Sequence, residues 1–261
     1  AQLLSDGVDP DSIRTVSTQS DLIDAYEDRR LPGTPLRRAA GATVDVMVRR
    51  SRLAVRKVLI ANESVDEVIA SGVLAETGDL VSFSHHVLFD HVAGRFFLEW
   101  DDPAHLIAQL KGGSAIALML APALRFAIER LWRSDSEGRR AVWRLIADIY
   151  ANTDVDPVLA NVALRTATEG VNSPSDITGL ISLIQARATD GAMATLLSRL
   201  ARFVGLLVDT SGGIARQTAT AWAEVADTAI TTGVREMSDP TRLLLQILFE
   251  KADLSDVPLL N

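Results

Sequence analysis

GDLVSFSHHVLFDHVAGRFFLEW, residues Gly78 to Trp100, holds three of the chain's four histidines within His85–His91. Its reading decides how the rest is organised. VLAETGDLVSF is two short apolar runs around Thr77-Gly78-Asp79, which predicts a β-hairpin whose second strand ends at Phe83. Ser84 is then placed to cap a helix from His85 to about Glu99. That helix is apolar on two sides, with Leu88, Phe89, Val92 and Phe96 on one and Ala93, Phe97 and Trp100 on the other. A helix with two greasy sides is buried between layers, so its start is expected at a cleft.

The histidine spacing selects among chemistries. A helix binds one metal through histidines at i and i+4. Here the separations are one, five and six, so no pair shares a face well and no metal site is assigned. His86 and Asp90 do stand at i and i+4, a spacing for a carboxylate-oriented imidazole. No GxSxG elbow or other nucleophile motif accompanies them, so no catalytic residue is assigned and the pair reads as a surface or interface contact. The position of His85 is more informative: it follows a strand and opens a helix, where unpaired N–H groups and the helix dipole favour an anion such as phosphate. His86 and His91 read as interface or surface residues.

Upstream, Ser20 is a cap for a helix to about Arg30, and Thr34-Pro35 opens another to about Arg50. A short apolar segment, Leu53 to Ile60, follows. Ser64 and Glu67 match a capping box for the short helix VDEVIASG, ended by Gly72. Helices, then a hairpin, then a helix is the order of a winged-helix-like unit, here residues 1–100. From 101 to 261 helical periodicity predicts helices near 103–111, 114–132, 136–151, 156–169, 174–188, 190–208, 212–233 and 239–252. The spacing is close to that of paired-helix repeats without a repeated consensus, which leaves a degenerate HEAT-like array. The fold class expected is therefore mainly α.

The 261 residues are 48% hydrophobic and 23% charged, ordinary for a soluble globular protein. No run approaches the roughly 20 apolar residues of a membrane helix, the longest being Ile116 to Leu124, so no membrane partner is expected. The absence of cysteine excludes disulfides and thiolate chemistry and fits a cytoplasmic protein. A net charge of −8 argues against a general nucleic-acid binder. DVMVRRSRLAVRK, 45–57, is the one basic cluster and reads as a solvated helix end or a contact with an acidic neighbour. The opening AQLL and the closing LSDVPLLN both read as cut elements, so the chain is expected to be a piece of a larger protein.

FSHHVLFDHVAGRF, Phe83 to Phe96, resembles the F-x-H-x-x-x-x-(E/D)-(Y/F)-x-A-(A/G)-R signature of the winged-helix region in STAND signalling NTPases. These include NACHT-like immune receptors and related bacterial ATPases. STQSDLIDAYEDRRL and IASGVLAETGDLVSFSHH also resemble that family's run into the histidine, so the resemblance covers about residues 10–100. It implies that His85 contacts the β-phosphate of ADP held by a neighbouring nucleotide domain and so keeps the receptor closed. It implies structural or interface roles for Phe83, Asp90 and Arg95. His91 departs from the family's aromatic, and Gly94 is one of its two permitted small residues.

A Walker A loop needs GxxxxGK[ST]. The nearest stretch, LKGGSA at 110–115, has Lys111 ahead of its glycines, and no Walker B strand is evident. The expectation is a non-enzymatic regulatory piece of a STAND-like ATPase, without a cofactor of its own, with ATP/ADP belonging to the parent. Its partners would be the upstream NTPase core of the same polypeptide and a protein trigger or effector, with defence signalling as the family's context. The alternatives are a plain α-helical protein-interaction scaffold and a winged-helix transcription factor. The last would need a basic recognition helix, which neither VDEVIASG nor HHVLFDHVAG supplies.

Overall fold

The computed structural model describes residues 19–251. The opening AQLL, the closing LSDVPLLN, the start of STQSDLIDAYEDRRL at Ser17 and Thr18, and the side chain of Ser20 lie outside the described residues. The protein is mainly helical with one small sheet. It divides into two compact units, the first reaching Gln109 and including Ser114–Ala127, the second comprising Leu110–Gly113 and the chain from Ile128.

In the first unit, α1 (Gln19–Arg30) and α2 (Thr34–Arg50) precede strand β1 (Ala54–Arg56). Helix α3 (Val65–Ala70) leads into the hairpin β2 (Leu74–Thr77) and β3 (Leu80–Phe83), and α4 (His86–Val92) follows. The hairpin turns where the sequence predicts it. The sheet, however, has three strands in the order β1-β3-β2, all antiparallel, with Val55 opposite Val81. Strand β1 comes from the segment read only as a short apolar run. At three residues, exposed-buried-exposed, it is too short to declare its period. Val55, Leu74 and Val81 share the covered face of the pleat.

Among the described residues, two caps expected ahead of the hairpin are absent. Gly33, not Thr34, is the N-cap of α2, and Ser64 makes no capping bond to α3. Instead the Asn62 carboxamide accepts from the Ser64 N–H at 3.0 Å, a local turn that competes with the capping box.

Helix α4 is shorter than its apolar pattern. After Val92 the backbone becomes a π-turn, Ala93–Phe97, closed by the Leu98 N–H donating to the Ala93 carbonyl at 2.9 Å. The Gln109 side chain donates to the Phe97 carbonyl at 2.7 Å and satisfies an acceptor left at the end of the turn. Two glycines let backbones approach here. A Cβ on Gly41 of α2 would sit 2.8 Å from the Phe96 carbonyl oxygen. A Cβ on Gly94 would sit 2.6 Å from the Ala123 carbonyl oxygen of helix α6 (Ser114–Ser134). The signature would accept alanine at 94; this packing does not.

Helix α5 (Pro103–Leu110) precedes α6. In the second unit, α7 (Ser136–Tyr150), α8 (Pro157–Gly170), α9 (Thr178–Ala186), α10 (Gly191–Ser211), α11 (Arg216–Thr231) and α12 (Ser238–Lys251) match the predicted helices to within a few residues. Asp135, Asp156 and Asp190 cap α7, α8 and α10 through their carboxylates. The core centres on Trp143, fully buried, whose indole N–H donates to the Asp176 carbonyl at 2.9 Å. Trp132 meets it edge to face at 5.6 Å and donates to the Gly170 carbonyl.

Helix α10 corrects one reading. At 21 residues it is long and apolar enough to cross a membrane by length and composition alone. Its apolar row, including Leu196, Leu200, Val204 and Val208, is buried, α10 packs on α12, and Arg199, Arg202 and Asp209 are exposed. A buried apolar row opposite exposed charges is the pattern of an amphipathic core helix. The two arginines and the aspartate hid its length from a search for uninterrupted apolar runs.

Gly94→Ala is expected to lower stability by about 1–3 kcal/mol, because backbone rather than a movable side chain opposes the new methyl. Thermal denaturation of the two proteins checks this.

Candidate functional site

Strand β3 hands over to α4 through Ser84 and His85. Ser84 does not cap the helix as its position suggests. Its hydroxyl donates back to the Gly72 carbonyl at 2.8 Å and lies 3.1 Å from that of Val73, pinning the end of β3 to the turn before β2. His85 is therefore the N-cap residue, with extended backbone (φ −140°, ψ 141°) and no side-chain bond to the helix. Its ring is exposed, as is that of His86. Phe83, half-buried, packs edge to face on Phe89 with ring centroids 5.6 Å apart, which fixes the strand against the helix.

Asp90 lies on α4 with no hydrogen bond to His86 among the described residues, so the i,i+4 spacing does not produce an oriented imidazole. Burial raises the Asp90 carboxyl to about 6, and the nearby His86 opposes the rise.

His91 is not a surface or interface residue: it is only 5% exposed. Its ring packs at a tilt on Phe126, centroids 4.1 Å apart, and its Nδ1 lies 3.9 Å from Asp24. Here an imidazole fills a site where the resembled signature has an aromatic. Both are flat rings.

Arg95, in the π-turn, is 14% exposed and reaches three carboxylates of α1. Asp28 lies at 2.8 Å, Glu27 at 3.4 Å and Asp24 at 3.7 Å, and Glu27 is wholly buried. Arg37 of α2 also pairs with Asp28, at 2.9 Å. The Arg95 and Arg37 guanidiniums lie 5.1 and 5.6 Å from the Phe96 ring centre. This cluster was not foreseen from the sequence. Its members stand 67 and 68 residues apart, although three acids at i, i+3 and i+4 along α1 were a visible sign of a charged helix face.

Asp24, Glu27 and His91 have ligand atoms within 4.8 Å of one another, a grouping able to hold a metal ion. Arg95 already supplies positive charge to both of those carboxylates. The arrangement is that of an ion network in which the guanidinium compensates the two carboxylates.

The remaining motifs resolve as structure. Lys111 of LKGGSA pairs with Asp154 at 3.3 Å, and its backbone bridges Val155. LVDTSGG, 207–213, where an acidic residue follows an apolar run, is the end of α10 and the turn after it. A 440 Å³ cleft lies beside that turn, lined by Asn172, Ser211, Thr218 and Trp222 among others, with Glu169 its one charged group among the described residues. Glu169 is bonded to Arg165 at 2.7 Å.

No protein-family model, no curated protein and no solved structure matches the chain.

Two outcomes follow from this geometry. Asp90 keeps its proton in the folded protein up to about pH 6, whereas the unfolded carboxyl loses it near 4, so stability falls as pH rises between those values. Asp90→Asn should thus raise the melting temperature at pH 7.5 and leave it nearly unchanged at pH 3, below both values. Arg95→Ala, which strips the buried Glu27 of this partner, is expected to cost about 3 kcal/mol in denaturant unfolding.

Proposed function

We propose that the chain is a non-catalytic regulatory and interaction portion of a STAND-like ATPase, relaying the nucleotide state of an NTPase core to a helical sensor array. The observation that carries this reading is the exposed ring of His85, standing where β3 passes into α4 at the histidine of the resembled signature. Its surroundings are held firmly: Ser84 ties down the strand end, Phe83 packs on Phe89, and Arg95 anchors the far end of the same helical segment. A winged-helix-like assignment for the first unit draws support from the helix–strand–helix–hairpin order and the β1-β3-β2 sheet. A HEAT-like assignment for the second draws support from the packing of α9 on α7 and of α12 on α10 and α11.

In this reading His85 donates to the β-phosphate of ADP in the core and favours the closed arrangement. Exchange for ATP removes that preference and shifts the population toward an open one. The acidic surface and the cluster at Arg95 take no part in chemistry. ATP and ADP belong to the core, and the second unit presents a surface to a protein trigger or effector.

A second reading, a plain helical interaction scaffold, draws on the other motifs, since Lys111 is paired with Asp154 and LVDTSGG forms a helix end and its turn. The sequence upstream of Ala1 separates the two readings, because only the first requires a Walker A motif there.

In the full-length parent, His85→Leu is expected to speed ADP release roughly tenfold or more, the loss of a hydrogen bond to a charged group, and to raise basal activation. Unchanged release, measured with a fluorescent ADP analogue, would remove the sensor role.

A further inference from the structure

The basic stretch after α2 has a surface that the sensor reading does not use. No acidic residue occurs between Asp45 and Glu63, while Arg49, Arg50, Arg52, Arg56 and Lys57 do. Arg49 pairs with Asp45, Arg56 with Asp79 at 2.7 Å, and Lys57 with Asp66 and Glu76. Arg50 and Arg52 are exposed and have no acidic partner among the described residues. Basic residues in a last helical turn also complement the helix dipole, which accounts for Arg49 and Arg50 but not for what lies beside them.

Beside them is a groove of about 390 Å³. Ala42 and Val46 of α2 form one wall, Leu59 and Ala61 the other, and Asp45, Arg49 and Arg50 complete the lining. The segment forming the second wall is apolar yet open to water: Val58 is 80% exposed and Leu59 41%. Isolated apolar side chains on a surface need no explanation, but Leu59 lines a groove together with the unpaired Arg50, and Val58 and Arg52 are their exposed near neighbours in the chain. A phosphodiester backbone would satisfy the arginines and leave Val58 and Leu59 against charge. A protein segment with carboxylates beside a large apolar side chain suits both.

We infer that this groove docks an acidic amphipathic segment of another protein. Its aliphatic or aromatic anchor enters between α2 and the Val58–Ala61 segment, and its carboxylates meet Arg50 and Arg52. This is the helix-in-groove mode of recognition, with electrostatic complementarity setting partner choice and encounter rate. It is independent of the nucleotide reading, because neither His85 nor its helix lines the groove.

The test is selection of a random twelve-residue displayed peptide library on the purified full chain. Enriched peptides are expected to carry Asp or Glu next to Leu, Phe or Trp. One of them, synthesised with a fluorophore, should lose about tenfold or more in affinity to the double variant Arg50→Glu/Arg52→Glu. A comparable loss is expected with Val58→Asp/Leu59→Asp. All four positions are exposed, and unchanged circular dichroism and melting verify that the variants are folded. No enrichment, enrichment without acidic bias, or equal binding to the variants would overturn the inference. Tighter binding of duplex DNA than of the selected peptide, abolished by the arginine variant, would overturn it in favour of a nucleic-acid surface.

Discussion

The first unit depends on how a wholly buried carboxylate is tolerated. Glu27 lies on α1 at 0% exposure, and burying such a group uncompensated costs several kcal/mol. Arg95 meets it from a π-turn at the far end of the helical segment that begins after β3. That pairing ties α1 to α4, and the two guanidiniums over Phe96 bring α2 into the same arrangement. The glycines at 41 and 94 follow from it, because backbones packed around so short a turn leave no room for a Cβ.

The same constraint explains why three neighbouring histidines have three fates. Because the π-turn and Arg95 fix the rotation of α4, His91 is carried into the packing against Phe126. His86, five residues earlier, falls on the exposed side. His85 is outside the helix altogether and is oriented by extended backbone that Ser84 holds to the preceding turn. His91 thus differs in burial from His85 and His86 for reasons of backbone conformation and helix phase, not of imidazole chemistry.

Charge is distributed unevenly over this unit. Acids of α1 are neutralised internally by Arg95 and Arg37, whereas Arg50 at the end of α2 and Arg52 just beyond it meet no acidic partner among the described residues. In a chain whose net charge is −8 this leaves a local basic surface beside exposed aliphatic side chains.

Periodicity alone determined the helical class, the hairpin at Gly78–Asp79 and nearly every helix after 101, because 3.6-residue and two-residue patterns are local properties of the chain. It also marked His85 by position, since a strand-to-helix junction is legible from neighbouring residues. Only the tertiary structure decided the third strand, the burial of His91 and the network joining Arg95 to Asp24, Glu27 and Asp28. Competing hydrogen bonds, invisible in a motif, displaced the caps expected of Ser64 and Ser84, and Gly33 took the N-cap place expected of Thr34. Each of these rests on contacts between residues remote in sequence or on a choice between near-equal local bonds. Helix propensity and spacing carry no information about which distant carboxylate will meet a given guanidinium, so packing alone made that selection.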